Sequence, residues 1–268
     1  MTTRLIGIDV DGTLVGSSGI VAPEIWDAAA RAREAGIRLM LCSGRPAFGL
    51  ALEYARQLDP GGWHAFQNGS SILHLDSGES RSSVLPAERV QKMIREARST
   101  GEVLELYGDN RYVTESNAPW ARMHAELLGV PFEAQPFESL TGPIVRAQWL
   151  LTPERAKLLM SQDPAGLQVG QSTSPLMPDV RFVGFTPPGV DKGNAIRTIA
   201  AAYGIDLEDV MYVGDSGNDL PALRVVGFPV AMGNAEPAVI DAAECTVRDV
   251  DFAGLAQALE LALEGHEH

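Results

Sequence analysis

Two aspartates separated by one valine, Asp9 and Asp11, end the apolar run Leu5 to Val10 and are followed at once by Gly12 and Thr13. Residues i and i+2 of an extended segment project the same way, so the two carboxylates repel each other and raise one pKa unless a cation lies near them. A hard divalent cation with oxygen ligands meets that need. The same stretch also reads as an Asp-Gly turn after a strand, with Asp9 capping backbone amides.

Three further clusters have chemistry of the same kind. GDSGNDL, Gly214 to Leu220, follows the apolar run Val210 to Val213. Asp215 there can complete an oxygen-rich site, and Asp219 can cap or support the helix that Pro221 opens. In LMLCSGRP, Ser43 and Gly44 follow another apolar run, and Pro46 is placed to start a helix. The first amides of such a helix, with the Ser43 hydroxyl, can hold a phosphate oxygen, although ordinary N-capping uses the same serine. Arg45 contacts either substrate or solvent. In GVDKGNAIRTIAAAYG, Lys192 sits at a helix start, where the macrodipole disfavours a positive charge. It is either a surface lysine or one that reaches into an acid-lined phosphate site and offsets its charge.

These clusters need elements that deliver them to one place. Short apolar runs at Leu5 to Val10, Ile37 to Cys42, Val210 to Val213 and Pro229 to Met232 each end in a polar or Gly-rich cluster, and most precede helical periodicity. That is the pattern of a parallel βαβ sheet, whose ligand crevice lies at the carboxyl ends of the strands. Pro23 begins a helix that runs to a stop at Gly36. The middle of the chain differs: a helix from Pro86 to Thr100, two strands around a GDN turn between Glu102 and Glu115, a helix from Pro119 to Leu128, then strand, helix and strands. The expected fold class is α/β: a doubly wound, Rossmann-like parallel core with a smaller inserted α+β cap. Exposed connections at Ser77 to Ser83 and Thr186 to Gly189 place the core at residues 1–83 and 187–268 and the cap at 84–186.

Composition narrows the partners. A formal net charge of −14 argues against a nucleic-acid or anionic-membrane surface, which needs basic patches. The two cysteines, Cys42 and Cys245, imply no disulfide framework. The start MTTRLIGIDVDGT lacks the features of a signal peptide, so a cytoplasmic location is expected. His64, His74 and His124 have no metal-ligand spacing, and the terminal HEH is expected to be a disordered end. Oligomeric state, monomer or dimer, is left open.

In order and position, DVDGT, the serine of CSGR, the lysine of DKGNA and the acidic GDSGND resemble the four motifs of the haloacid dehalogenase superfamily. The chain looks most like Cof-type phosphatases, which carry a large α+β cap between the second and third motifs. FQNGSSI and VAMGNAEPAV match further family segments, whereas CTVRDVDFAGLAQAL lacks the Asn-rich acidic loop of many relatives.

The resemblance implies a Mg²⁺-dependent phosphatase for a small phosphorylated metabolite, with sugar phosphates the favoured class. It implies that Asp9 is the nucleophile and forms an aspartyl-phosphate, and that Asp11 is the acid and base. Mg²⁺ would be held by Asp9, the Asp11 carbonyl and Asp215. Val10, Ser43, Gly44, Lys192 and Asn218 would hold the phosphoryl oxygens, with Asp219 in support and Arg45 near the substrate. The cap would set specificity. Two competing readings are a phosphosugar mutase and a catalytically silent metal- and phosphate-binding regulator on the same fold.

Overall fold

The computed structural model describes residues 2–174 and 176–265; the terminal HEH lies outside them. The described residues form two compact units, one made of 2–45, 51–81 and 191–265 and the other of 46–50, 82–174 and 176–190.

In chain order the first unit begins with strands and helices at Leu5–Ile8 (β1), Pro23–Glu34 (α1), Arg38–Leu41 (β2), Leu50–Leu58 (α2), Trp63–Phe66 (β3) and Ser71–His74 (β4). The second unit supplies Ala87–Thr100 (α3), Val103–Tyr107 (β5), Tyr112–Val113 (β6), Pro119–Leu128 (α4), Arg146–Leu151 (β7), Pro153–Met160 (α5), Gln168–Ser174 (β8) and Met177–Thr186 (β9). The chain then returns to the first unit through Lys192–Tyr203 (α6), Val210–Gly214 (β10), Leu220–Leu223 (α7), Phe228–Ala231 (β11), Pro237–Ile240 (α8), Cys245–Thr246 (β12) and Gly254–Glu264 (α9).

The core sheet has the order β12-β11-β10-β1-β2, and every pairing in it is parallel. Strand β1 lies inside the sheet, between β10 and β2, and is wholly buried, which is why LIGI is an unbroken apolar run rather than an alternating one. On one face Leu5, Met40 and Tyr212 pack with Ile196 and Ile199 of α6. The alternate residues Ile6, Ile8, Leu39 and Leu41 are equally buried, and α1 and α9 pack on each other and against β2 and β10. The core is thus doubly wound, as the expected fold class requires. Both the Asp9 turn and the Asp215 loop follow strands that run side by side, so they emerge at the same pole of the sheet.

One expected boundary moves. Pro46 does not open a helix; α2 begins at Leu50. Gly49 has φ +57, a left-handed conformation that a helix interior does not contain. The carbonyls of Ser43 and Arg45 accept the amides of Asn68 and Gln67 instead of helical partners.

The second unit is an antiparallel sheet of order β6-β5-β7-β9-β8. Helices α3 and α5 cover one face through Val90, Ile94 and Ala156, and α4 contributes Ala121 to the apolar cluster of Val103, Leu150 and Phe182. Inside this unit the buried Glu105 accepts from the Tyr107 hydroxyl at 2.6 Å and the Gln148 amide at 3.1 Å, and pairs with His124 Nδ1 at 2.8 Å.

Candidate active site

Asp9 is the first residue past β1, and its amide donates to the Val213 carbonyl, so the parallel ladder with β10 fixes its backbone. The residue is 4% exposed. Lys192 opens α6, with Asp191 as N-cap accepting the Asn194 amide at 2.7 Å. From there its side chain runs into the core, and Nζ lies 2.6 Å from Asp9 Oδ1 and 2.6 Å from Asp219 Oδ1. The lysine is completely buried, a placement that an ammonium tolerates only when it is paired.

Asp219 is held on both oxygens. Tyr212 donates its hydroxyl to Oδ1 at 2.6 Å, and the amides of Asp215 and Ser216 donate to Oδ2 at 3.0 Å each. The same carboxylate completes a capping box with Ser216, so capping and support of Lys192 are one arrangement. Asp215 follows β10 and accepts from the Thr13 hydroxyl at 3.4 Å. Gly12 makes its approach possible: φ is +83, and a Cβ there would lie 2.2 Å from Asp215 Oδ2.

Asp9, Asp215 and Asp219 each bring an oxygen within 4.8 Å of the others. Against one ammonium, these three carboxylates leave two formal negative charges. Burial pushes Asp9 up to about 7, against the pull of Lys192. Burial also pushes Asp215 up to about 6, with the Asp219 charge adding to it. Burial works to discharge Lys192, but Asp9 and Asp219 outweigh it and hold the ammonium above its ordinary value. Since Lys192, Tyr212 and two amides occupy Asp219, the carboxylates open to a cation are Asp9 and Asp215. A divalent cation fits this donor set in charge and ligand type.

The remaining sequence candidates lie in the same unit. Val10 is buried, and its carbonyl accepts the amides of Leu14 and Val15, which folds the turn that carries Asp11. Ser43 is buried at the carboxyl end of β2; its hydroxyl accepts the Arg45 amide at 3.1 Å, and half-buried Gly44 lies between them. Arg45 grips Asp11, with Nε 2.9 Å from Oδ2 and Nη2 2.5 Å from Oδ1. Asn218 is exposed; its amide donates to Asn68 Oδ1 at 3.1 Å, and its carbonyl oxygen accepts from Ser216 Oγ at 2.8 Å.

Sequence reasoning missed several supports. In the sequence Tyr212 is one more residue of an apolar strand, although a hydroxyl in a buried run signals a hidden partner. Asn68 adopts φ +57 in the turn of the β3-β4 hairpin. Asn234, in the MGNA stretch, donates to the Gly12 carbonyl at 2.8 Å and accepts the Val250 amide at 2.9 Å. In the departing C-terminal stretch, Asp251 accepts the Ser17 amide at 2.9 Å and its hydroxyl at 2.7 Å.

A family model described as haloacid dehalogenase-like hydrolase matches residues 6–259. The chain belongs to the haloacid dehalogenase-like hydrolases. Pyridoxal phosphate phosphatase YbhA of Escherichia coli strain K12 is 28% identical to this hydrolase, over 96% of this chain and 97% of the relative. The 5-amino-6-(5-phospho-D-ribitylamino)uracil phosphatase YwtE of Bacillus subtilis strain 168 is 23% identical, over 98% and 99%. A solved haloacid dehalogenase-like hydrolase from Bacteroides thetaiotaomicron superposes with a TM-score of 0.83 at 28% identity, covering 97% of this chain and 99% of that one.

Proposed function

We propose that this phosphatase is a Mg²⁺-dependent phosphomonoesterase that works through an aspartyl-phosphate on Asp9. The observation that carries the reading is the buried Lys192 wedged between Asp9 and Asp219, with Asp215 beside them. A structural ion pair needs one carboxylate; here the surplus carboxylates stand at the end of β1, where an ionised Asp9 can meet a phosphate and a cation.

Asp9 attacks the substrate phosphorus in line. The bond from phosphorus to the leaving oxygen breaks with its electron pair, and Asp11 gives that oxygen a proton. Asp11, now a carboxylate, takes a proton from water as the water attacks the phosphorus of the aspartyl-phosphate, which releases inorganic phosphate and restores Asp9. Arg45 grips both oxygens of the Asp11 carboxylate, so one of them leaves the guanidinium to carry the proton between these two transfers while the other keeps the group in place. Lys192, Ser43, Asn218 and the amides of Val10 and Gly44 hold the phosphoryl oxygens as charge redistributes. Asp9, the Asp11 carbonyl and Asp215 would hold Mg²⁺, which supplies the charge neutralisation that lets a phosphate dianion meet a carboxylate.

The substrate is a small phosphorylated metabolite, with sugar phosphates the favoured class, and the inserted cap at 84–186 sets the choice. The names of YbhA and YwtE, which give a pyridoxal phosphate and a phosphoribityl compound as substrates, support a phosphate ester of a small polar alcohol. Phosphate release from a metabolite panel with Mg²⁺, run beside Asp9→Asn, tests the reading. Release by the wild type and none by a folded variant is expected; equal release by both refutes it. A requirement for a bisphosphate activator would indicate a mutase instead.

A further inference from the structure

Strand β1 has a glycine where an interior buried strand gains nothing from one. Gly7 offers no side chain to pack, and glycine in a strand interior weakens it. Its partner across the parallel ladder is Tyr212 of β10. A Cβ on Gly7 would lie 2.6 Å from Tyr212 Cδ2 and 3.2 Å from Cε2, so the glycine is the space that the tyrosine ring occupies. The ring is fully buried, packed in the cluster of Ile196 and Ile199, and its hydroxyl ends 2.6 Å from Asp219 Oδ1.

We propose that Tyr212, seated by Gly7, is a positioning residue that acts through Asp219 on Lys192. The inference rests on the phosphatase reading given above. Asp219 Oδ1 receives two donors, the Lys192 ammonium and the Tyr212 hydroxyl, each at 2.6 Å. Oδ2 receives the Asp215 and Ser216 amides. The amides fix one end of the carboxylate, and the phenol is the second donor on the other. Without it, Oδ1 is free to follow the ammonium, and Nζ loses a fixed anchor opposite Asp9. Among the described residues Tyr212 has no hydrogen bond to Asp9 or Asp215 of its own, so its effect on turnover passes through Asp219.

Tyr212→Phe removes only the hydroxyl. With a phosphate ester and Mg²⁺, its kcat is expected to fall about tenfold, the scale on which small misplacements of a reacting group act, while KM and the Mg²⁺ half-saturation move less than about twofold. Gly7→Ala, which displaces the ring, is expected to lower both kcat and Tm. In Gly7→Ala/Tyr212→Val the clash is gone, so Tm should rise above that of Gly7→Ala while kcat stays as low as in Tyr212→Phe. That split separates positioning from packing. A Tyr212→Phe kcat within about twofold of wild type overturns the inference, as does a double variant that regains kcat with Tm. Wild-type protein is the control: if it releases no phosphate, the phosphatase reading fails and takes this inference with it, whereas active wild type beside an equally active Tyr212→Phe sinks the inference alone.

Discussion

Arg45 holds Asp11 by both ends of its carboxylate, with Nε and Nη2 on separate oxygens at 2.9 and 2.5 Å. The planar fork of the guanidinium matches a carboxylate in a way that a lysine ammonium does not. Asp11 itself is largely exposed, so its orientation comes from this pair rather than from packing.

The first prediction follows from that pairing. Arg45→Ala leaves Asp11 untethered and should lower kcat for an alkyl phosphate, whose leaving oxygen needs a proton, by about tenfold or more. An aryl phosphate with an acidic leaving group needs little protonation and should lose much less. Steady-state rates on the two substrates make the comparison; equal losses would remove Arg45 from the proton-transfer step.

Metal binding should depend on pH. Asp9 and Asp215 are pushed up to about 7 and about 6 by burial, and a carboxylate must be ionised to bind a cation. For an acid whose folded pKa is raised, the protonated form favours the fold, and that contribution is lost as pH rises through the folded value. Metal-free protein should therefore gain more thermal stability from Mg²⁺ at about pH 8 than at about pH 6, with affinity at least about tenfold weaker at the lower pH. Calorimetry in buffers of different ionisation enthalpy should detect proton release on binding. Affinity that is flat across this range would contradict the assignment.

A third expectation concerns the buried His64. Its Nδ1 accepts the Leu41 amide at 3.0 Å, so the proton sits on Nε2, which donates to the Asp59 carbonyl at 2.8 Å. Protonating Nδ1 breaks the first bond, and burial holds the imidazole down to about 4. Because the folded pKa is lowered, the stabilisation is complete above the unfolded value near 6.5 and is lost as pH falls toward 4. The expected loss by about pH 5 is roughly 2 kcal/mol. Denaturant melts of wild type and His64→Asn should show this pH dependence in the first and not in the second.

Gly12→Ala should be severe despite its size. The position combines φ +83 with a would-be Cβ 2.2 Å from Asp215 Oδ2. The strain is expected to cost about 1–3 kcal/mol, and pushing Asp215 away should weaken Mg²⁺ binding. Thermal melts and Mg²⁺ titration of activity measure the two effects; unchanged Mg²⁺ half-saturation would detach Asp215 from the metal.

Much of this fold was legible because its signals are local. Unbroken apolar runs mark strands buried on both faces, and Pro23 and Pro119 open helices where helix chemistry allows a proline. The acidic ends of β1 and β10 could be placed together because parallel strands deliver their carboxyl ends to one pole. The start of α2 was not legible, since Pro46 has the signature of a helix start and only the hairpin amides at Gln67 and Asn68 show why the chain stays open there. Nor could spacing reveal that Arg45 turns to Asp11 or that Tyr212 reaches Asp219. These contacts join residues distant in sequence or on different elements, and side-chain direction decides them.

The most direct measurement is rapid acid quenching of the wild-type enzyme during turnover, followed by mass spectrometry of the peptide that contains Asp9. The account predicts one added phosphoryl mass on Asp9, discharged by hydroxylamine and missing from Asp9→Asn, which should be folded and inactive. Phosphate release at the wild-type rate from Asp9→Asn, or turnover with no adduct on that peptide at any quench time, would contradict it.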